Sequence, residues 1–383
     1  MRAHPALGAE HEQFREAVRR FVEREVAPYA AAWDEEGEFP RDLYRKAAQV
    51  GLFGLGFPEE YGGTPADGYY GVILAEEFAR AGSGGLWAGL FSHTIGAPPI
   101  AVAGSAELKR RVLPPILAGE KICALAVTEP AGGSDVAALS TRARREGEHY
   151  VVDGEKAFIT SGMRADVYTV AVRTGGPGAG GLSLLVVEAE RPGVSRTPLK
   201  KMGWWCSDTA LVRFAGVRVP AQNLLGEENG GFALLMHNFN AERLAIAAGA
   251  VGFAAVCLEE ALAWARERRA FGAALVAHQA IRHRLVDMKA KVLAARALLY
   301  DTAWRLEAIP DEPAHVAQLA ILKNVATEAM QACADAAVQI LGGAGYVRGS
   351  RSERIYREAK VMQIGGGATE VMKELAARQL GWR

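Results

Sequence analysis

The spacing of apolar residues changes period twice along this 383-residue chain, and that double switch limits the possible folds more than any other feature. Over residues 1–122 the period is helical. In HEQFREAVRRFVEREVAPYAAAW, Phe14, Val18, Phe21, Val22 and Val26 recur near 3.6 with charges between them. RDLYRKAAQVGL, YYGVILAEEFARAG and AELKRRVLPPILAG continue the pattern, punctuated by GFPEEYGGTPADG and IGAPP. Over 123–232 the period falls to two. DVYTVAV, LSLLVVEAE and TALVRFAGVRV read as strands, and YVVDGEKAFIT carries an Asp-Gly pair between β-prone runs, a hairpin signal. From 233 the long helical period returns, with one stripe of Ile281, Leu285, Met288, Val292, Leu299 and Ala303, and another of Val316, Leu319, Leu322 and Val325. The expected fold class is α+β: an N-terminal helical domain (1–122), a middle antiparallel β domain (123–232) and a C-terminal four-helix bundle (233–383).

Charge excludes several functions. Lys+Arg and Asp+Glu are equal at 44 each, which leaves no net field to attract nucleic acid or an acidic membrane surface. The longest apolar run, 244–258, is too short and too rich in Ala and Gly for a membrane span and reads as a buried core helix. The first residues, MRAHPALGAEHEQF, lack the apolar stretch of a signal peptide. Cys123, Cys206, Cys257 and Cys333 are scattered, as expected of reduced thiols in a cytoplasmic protein, and neither they nor the eight histidines have metal-ligand spacing, so no metal is expected.

One carboxylate breaks the pattern. Leu235, Phe239, Ile246 and Ala250 mark the apolar face of the first bundle helix, and Glu242 falls on that face, with Arg243 about 100° further round. From periodicity alone two readings stand. The pair is solvated and the helical phase is off by one residue, or Glu242 sits beside an apolar cavity. In the second case burial raises its pKa, and a base of that kind can take a proton from a weakly acidic carbon.

The segment ALAVTEPAGGSDVAAL (124–139) resembles the flavin-binding segment of the acyl-CoA dehydrogenases, whose pattern is VTEPxxGSD. The resemblance continues in order through EKAFITSG (155–162), KMGWWCSDTALVRFAGVRVPAQNLLG (201–226), ERLAIAAGAVG (242–252), ARERRAFG (265–272) and VQILGGAGYVR (338–348). It implies bound FAD, α,β-dehydrogenation of an acyl-CoA thioester, electrons passed to an electron-transferring flavoprotein, and a homo-oligomer, a tetramer or at least a dimer. Position by position, it implies that Val127 and Thr128 face the flavin ring. Phe158, Ile159 and Thr160 lie along the ring's other side, with Thr160 near N5, and Ser134 contacts phosphate or substrate. Arg268 and Phe271 reach the FAD of a neighbouring subunit, and Gln339, Gly342 and Gly343 meet the adenosine half across a subunit boundary. Ala368 and Glu370 are on the cofactor side, and Phe239 and Arg243 on the acyl-CoA side. Each has a plainer alternative: Thr128 and Thr160 as ordinary strand threonines, Arg268 as a solvated helix-end cation, Phe271 as core packing.

Many members of that family carry Tyr-Glu-Gly-Thr near the C-terminus, and its glutamate is the base. This chain has Gly365, Gly366, Gly367 and Ala368 there, so Gly366 stands where the carboxylate is expected. A branch resembling the long-chain and isovaleryl-CoA enzymes carries its base immediately before the arginine matching Arg243, which is Glu242 here. The resemblance leaves the Gly366 N–H as a donor to the thioester oxygen. GGGATE lacks the GxGxxG spacing of a nucleotide loop. Glu370 is a rival base, while Glu129 and Asp135 read as turn and cap residues. Two other functions compete: an oxidase or monooxygenase using O₂ on the same fold, and a non-catalytic flavin- or CoA-binding homologue.

Overall fold

The computed structural model describes residues 7–309 and 312–382. Residues 1–6, the start of the segment read as lacking a signal peptide, lie outside the described residues. The helical period of the first third produces α1 (Ala9–Phe21), a turn of π-helix (Val22–Val26), α2 (Ala30–Glu36), α3 (Asp42–Gln49), α4 (Gly68–Phe78), α5 (Gly84–Leu90), α6 (His93–Gly96), α7 (Pro98–Ala103) and α8 (Ala106–Leu117). Val18, Phe21, Val22 and Val26 are all buried, as their spacing predicts. Polar side chains set several starts: Asp67 caps α4, Ser83 caps α5 and Ser105 caps α8, each accepting a backbone N–H of the first turn.

The middle region forms one sheet from β1 (Cys123–Ala126), β2 (Arg142–Glu146), β3 (His149–Thr160), β4 (Val167–Arg173), β5 (Leu182–Glu188), β6 (Val194–Pro198), β7 (Thr209–Pro220) and β8 (Leu224–Leu225). Its order is β6-β7-β3-β2-β4-β5-β8, with β1 beside β4. The sheet is mixed rather than antiparallel. β1 runs parallel to β4, and β2 meets β4 in parallel at Arg142 and Arg173. Alternation of side chains is the same for either strand direction, so the sequence pattern could not reveal this. The β2–β3 hairpin lies between β1 and β4 in the chain and supplies the long crossover that parallel neighbours require.

The Asp-Gly pair of YVVDGEKAFIT is not a hairpin turn. Asp153 and Gly154 lie within β3, and the β2–β3 turn comes earlier, at Gly147 (φ 59°). The pairing of β3 with β7 shifts register between Val152 and Gly154, a bulge. Asp153 Oδ1 accepts the Gly216 N–H at 2.7 Å, and a β-carbon on Gly154 would fall 2.5 Å from Thr141 Oγ1. Glycine is needed there for a close approach, which the dipeptide alone does not distinguish from a turn.

The last region is built on α9 (Gly231–Glu267), followed by a small hairpin of β9 (Arg269–Ala270) and β10 (Ala273–Ala274). It continues with α10 (Gln279–Ala308), α11 (Pro313–Leu341), α12 (Gly343–Tyr346), α13 (Arg351–Ile364) and α14 (Thr369–Gln379). α9 packs along α11, with α10 and α13 completing the bundle. The 244–258 run lies in α9, whose Ala247, Ala248, Ala250, Val251, Phe253 and Ala254 are buried in the bundle core. α4 and the residue after it dock on α9 so closely that a β-carbon on Gly252 would fall 3.1 Å from the Glu76 carbonyl oxygen and 2.6 Å from the Ala79 β-carbon. The N-terminal helices and the bundle are thereby welded, and the N-terminal half of α9 is left facing the turn between α13 and α14.

Candidate active site

That turn is made of the three glycines. α13 ends at Ile364, Gly366 and Gly367 follow with φ of 67° and 112°, and α14 starts at Thr369. Both angles lie in the left-handed region that side chains resist. A β-carbon on Gly367 would also meet Met372 Cε at 2.4 Å. A β-carbon on Gly366 would fall 2.7 Å from Ile246 Cδ1, 3.8 Å from Arg243 Cγ and 3.9 Å from Glu242 Oε1. The space in which a side chain at 366 would project is therefore the space the Glu242 side chain reaches from α9. The missing loop carboxylate and the unexpected helix carboxylate converge on one point.

Glu242 is half-buried, and the solvated reading does not hold. Loss of water around it pushes its pKa up to about 7, while Arg243 and then Lys323 pull it back. Arg243 is buried: its Nε donates to the Gly366 carbonyl at 3.1 Å, its Nη1 to Asn240 Oδ1 at 3.1 Å, and its guanidinium lies 5.8 Å from the Phe239 ring centre. Lys323, which the sequence reading passed over, is fully buried on α11 and donates to the carbonyls of Gln363 (3.0 Å) and Gly367 (2.7 Å). Burial lowers its pKa to about 8, with Arg243 adding to the effect and Glu242 opposing it. Its place between Leu322 and Asn324 on an apolar helix was the available signal. The Gly366 N–H has no partner among the described residues. Glu370 is exposed on the first turn of α14, and Ala368 caps that helix.

The two flavin-type segments also meet. Val127 and Thr128 follow β1, and the Thr128 carbonyl accepts the Ala157 N–H at 2.8 Å. Beneath them is a buried ion pair. Lys156 Nζ donates to Glu129 Oε1 at 2.8 Å and to the Val127 carbonyl at 2.9 Å. Glu129 also accepts from Ser140 and Thr141. Burial alone would raise the Glu129 pKa, but Lys156 and these donors hold it at about 2. The sequence pattern of Glu129 reads as a turn or cap residue and does not show this buried pairing with Lys156.

β3 is irregular at Ala157–Phe158, and Phe158 is held at φ 58° with 67% of its surface exposed. A left-handed, mostly exposed aromatic is a costly arrangement of the kind found at ligand sites. Thr160 is half-buried, Ile159 turns its side chain into the core, and Ser134 is exposed in the loop after Thr128. The Thr128–Ala157 hydrogen bond brings Val127 and Thr128 next to the Phe158 segment.

The remaining residues lie elsewhere. Arg268 ends α9, 26 residues and therefore about 39 Å of helix from Glu242. Phe271, at the tip of the β9–β10 hairpin, is 98% exposed at φ 49°, so it is not core packing. Gln339, Gly342 and Gly343, at the far end of α11, are exposed as well.

Three family models match: "Acyl-CoA dehydrogenase, N-terminal domain" over residues 8–120, "middle domain" over 124–217 and "C-terminal domain" over 229–381. The crystal structure of a probable acyl-CoA dehydrogenase from Mycobacterium abscessus superposes with a TM-score of 0.95 at 48% identity, covering 98% of this chain and 99% of that one. The probable acyl-CoA dehydrogenase YngJ of Bacillus subtilis is 38% identical, with 98% of each chain covered. The mitochondrial long-chain specific acyl-CoA dehydrogenase of Sus scrofa is also 38% identical, over 98% of this chain and 87% of its own.

Proposed function

Because the chain belongs to the acyl-CoA dehydrogenase family and is an FAD-dependent oxidoreductase, we propose that it desaturates an acyl-CoA thioester to the trans-2-enoyl-CoA with Glu242 as the base. FAD, when bound, supplies the hydride acceptor for the β-hydrogen. The observation that carries the reading is the convergence of Glu242 Oε1 to within 3.9 Å of the missing side-chain position at Gly366. Burial raises the carboxyl toward neutrality, which matches a base that must take the α-proton and later release it. Arg243 orients the turn through the Gly366 carbonyl, and the unpaired Gly366 N–H is available to the thioester oxygen as negative charge develops there.

Val127, Thr128, Phe158 and Thr160 would hold the ring, with the Ile159 backbone between the last two and Ser134, Ala368 and Glu370 at the periphery. Phe239 and Arg243 would line the thioester side. Arg268 lies too far along α9 from Glu242 to touch the same reacting atoms, and it is exposed, as are Phe271, Gln339, Gly342 and Gly343. Their exposure favours service to the FAD of a neighbouring subunit, which makes the functional unit at least a dimer, and a tetramer if two such dimers pair. The electron acceptor in this reading is an electron-transferring flavoprotein.

Anaerobic titration of the yellow holoprotein with thioesters from C4 to C18, straight and branched, tests the reaction. The expected result is bleaching with at least one thioester and recovery of colour on adding an electron-transferring flavoprotein. A holoprotein that binds thioesters and never bleaches contradicts the reading, and rapid recovery in air with peroxide release moves it to the oxidase.

A further inference from the structure

We propose that Lys323 is a positioning residue for this reaction, its ammonium group stapling the two ends of the glycine turn so that the turn is held closed against Glu242. The inference rests on Glu242 being the base.

The turn cannot hold itself. Gly365, Gly366 and Gly367 have no side chains to pack, and three consecutive glycines lose more conformational freedom on ordering than any other tripeptide. A donor N–H that must meet developing charge, however, needs a fixed position. The restraint comes from outside. Lys323 takes the carbonyls of Gln363 and Gly367, bracketing the segment, while Arg243 takes the carbonyl of Gly366 between them. Asn324, the next residue on α11, donates to the Thr369 carbonyl at 3.0 Å where α14 begins. Four carbonyls from 363 to 369 are thus fixed by three side chains from α9 and α11.

Lys323 also sits at the C-terminal end of α13, where unpaired carbonyls favour a cation. A fully buried lysine is costly unless its hydrogen bonds are met, and a helix end alone is normally capped at the surface at far lower cost. Around Glu242 the charged groups are Arg243 on its own helix and Lys323 from α11. The turn and the end of α13 present carbonyls, and Lys360 points away to Gln363 Oε1 at the surface. Lys323 therefore has two effects on the site: it fixes the turn, and it favours the ionised, proton-accepting form of Glu242.

The test uses the FAD-loaded protein with a thioester that bleaches it. Lys323→Met is expected to keep FAD and the fold, to slow anaerobic bleaching at saturating thioester about 10- to 100-fold, and to change KM far less than kcat. The acid limb of the bleaching rate should move up by about one pH unit, because Glu242 loses a cation. Lys323→Gln, which keeps an NH₂ donor group and no charge, should show the same displacement of the limb with a smaller loss of rate. Wild-type rate and limb in both variants overturn the proposal. Loss of FAD or of the fold in both assigns the lysine to folding alone and overturns it as well. Bleaching by Glu242→Gln, measured in parallel, would instead reject the base on which the proposal rests.

Discussion

At the scale of the residue, position 242 was legible as an anomaly before any coordinates: a carboxylate in phase with Leu235, Phe239 and Ile246. Its partner was less so. Lys323 stands out only as a lysine between Leu322 and Asn324 on an apolar helix, and its function depends on a backbone carbonyl 40 residues later in the chain, a contact that no periodicity encodes. The raised pKa of Glu242 gives a signed prediction. The protonated acid cannot accept a proton, so the bleaching rate should climb with pH through about 7 and level off above it. Stability should run the other way. A carboxyl whose folded pKa lies above its unfolded value stabilises the fold below the ordinary carboxylate range and loses that contribution as pH rises through about 7. Glu242→Gln should therefore melt higher than the wild type at pH 8 and together with it near pH 4, which scanning calorimetry at the two pH values would check.

At the scale of the element, period separated helices from strands correctly but was blind to direction and to bulges. The parallel β1–β4 pairing and the Asp153–Gly154 bulge both depend on neighbours distant in sequence, such as Thr141 and Gly216. The same limit hid the link between β1 and β3. Lys156, fully buried on β3, joins Glu129 and the Val127 carbonyl beyond the end of β1, so a buried ion pair reinforces the Thr128–Ala157 hydrogen bond between these two segments. Lys156→Met leaves the Glu129 charge buried without its counter-ion and should cost about 3–5 kcal/mol in denaturant unfolding. FAD content should fall in the protein that remains folded. A loss below 1 kcal/mol with full FAD would show that the pair anchors nothing.

At the scale of the molecule, the three-part order of helices, sheet and bundle follows from the two changes of period and matches the three family models over nearly the whole chain. The sequence could not place the ends of α9 relative to the site, because only a continuous 37-residue helix puts Arg268 so far from Glu242. That separation makes complementation between subunits a test of assembly. Glu242→Gln and Arg268→Ala chains, each impaired alone, should regain part of the wild-type activity when unfolded and refolded together, since some mixed sites then have both residues intact. No recovery in mixed oligomers would place each complete site within one chain.

The central claim is that the proton leaves the substrate to a helix and not to a loop. Its most direct measure is uptake of deuterium at the thioester α-carbon in D₂O under anaerobic conditions, followed by NMR. The account predicts uptake with the wild-type holoprotein and its loss in a Glu242→Gln variant that still carries FAD. Undiminished uptake in that variant would contradict it.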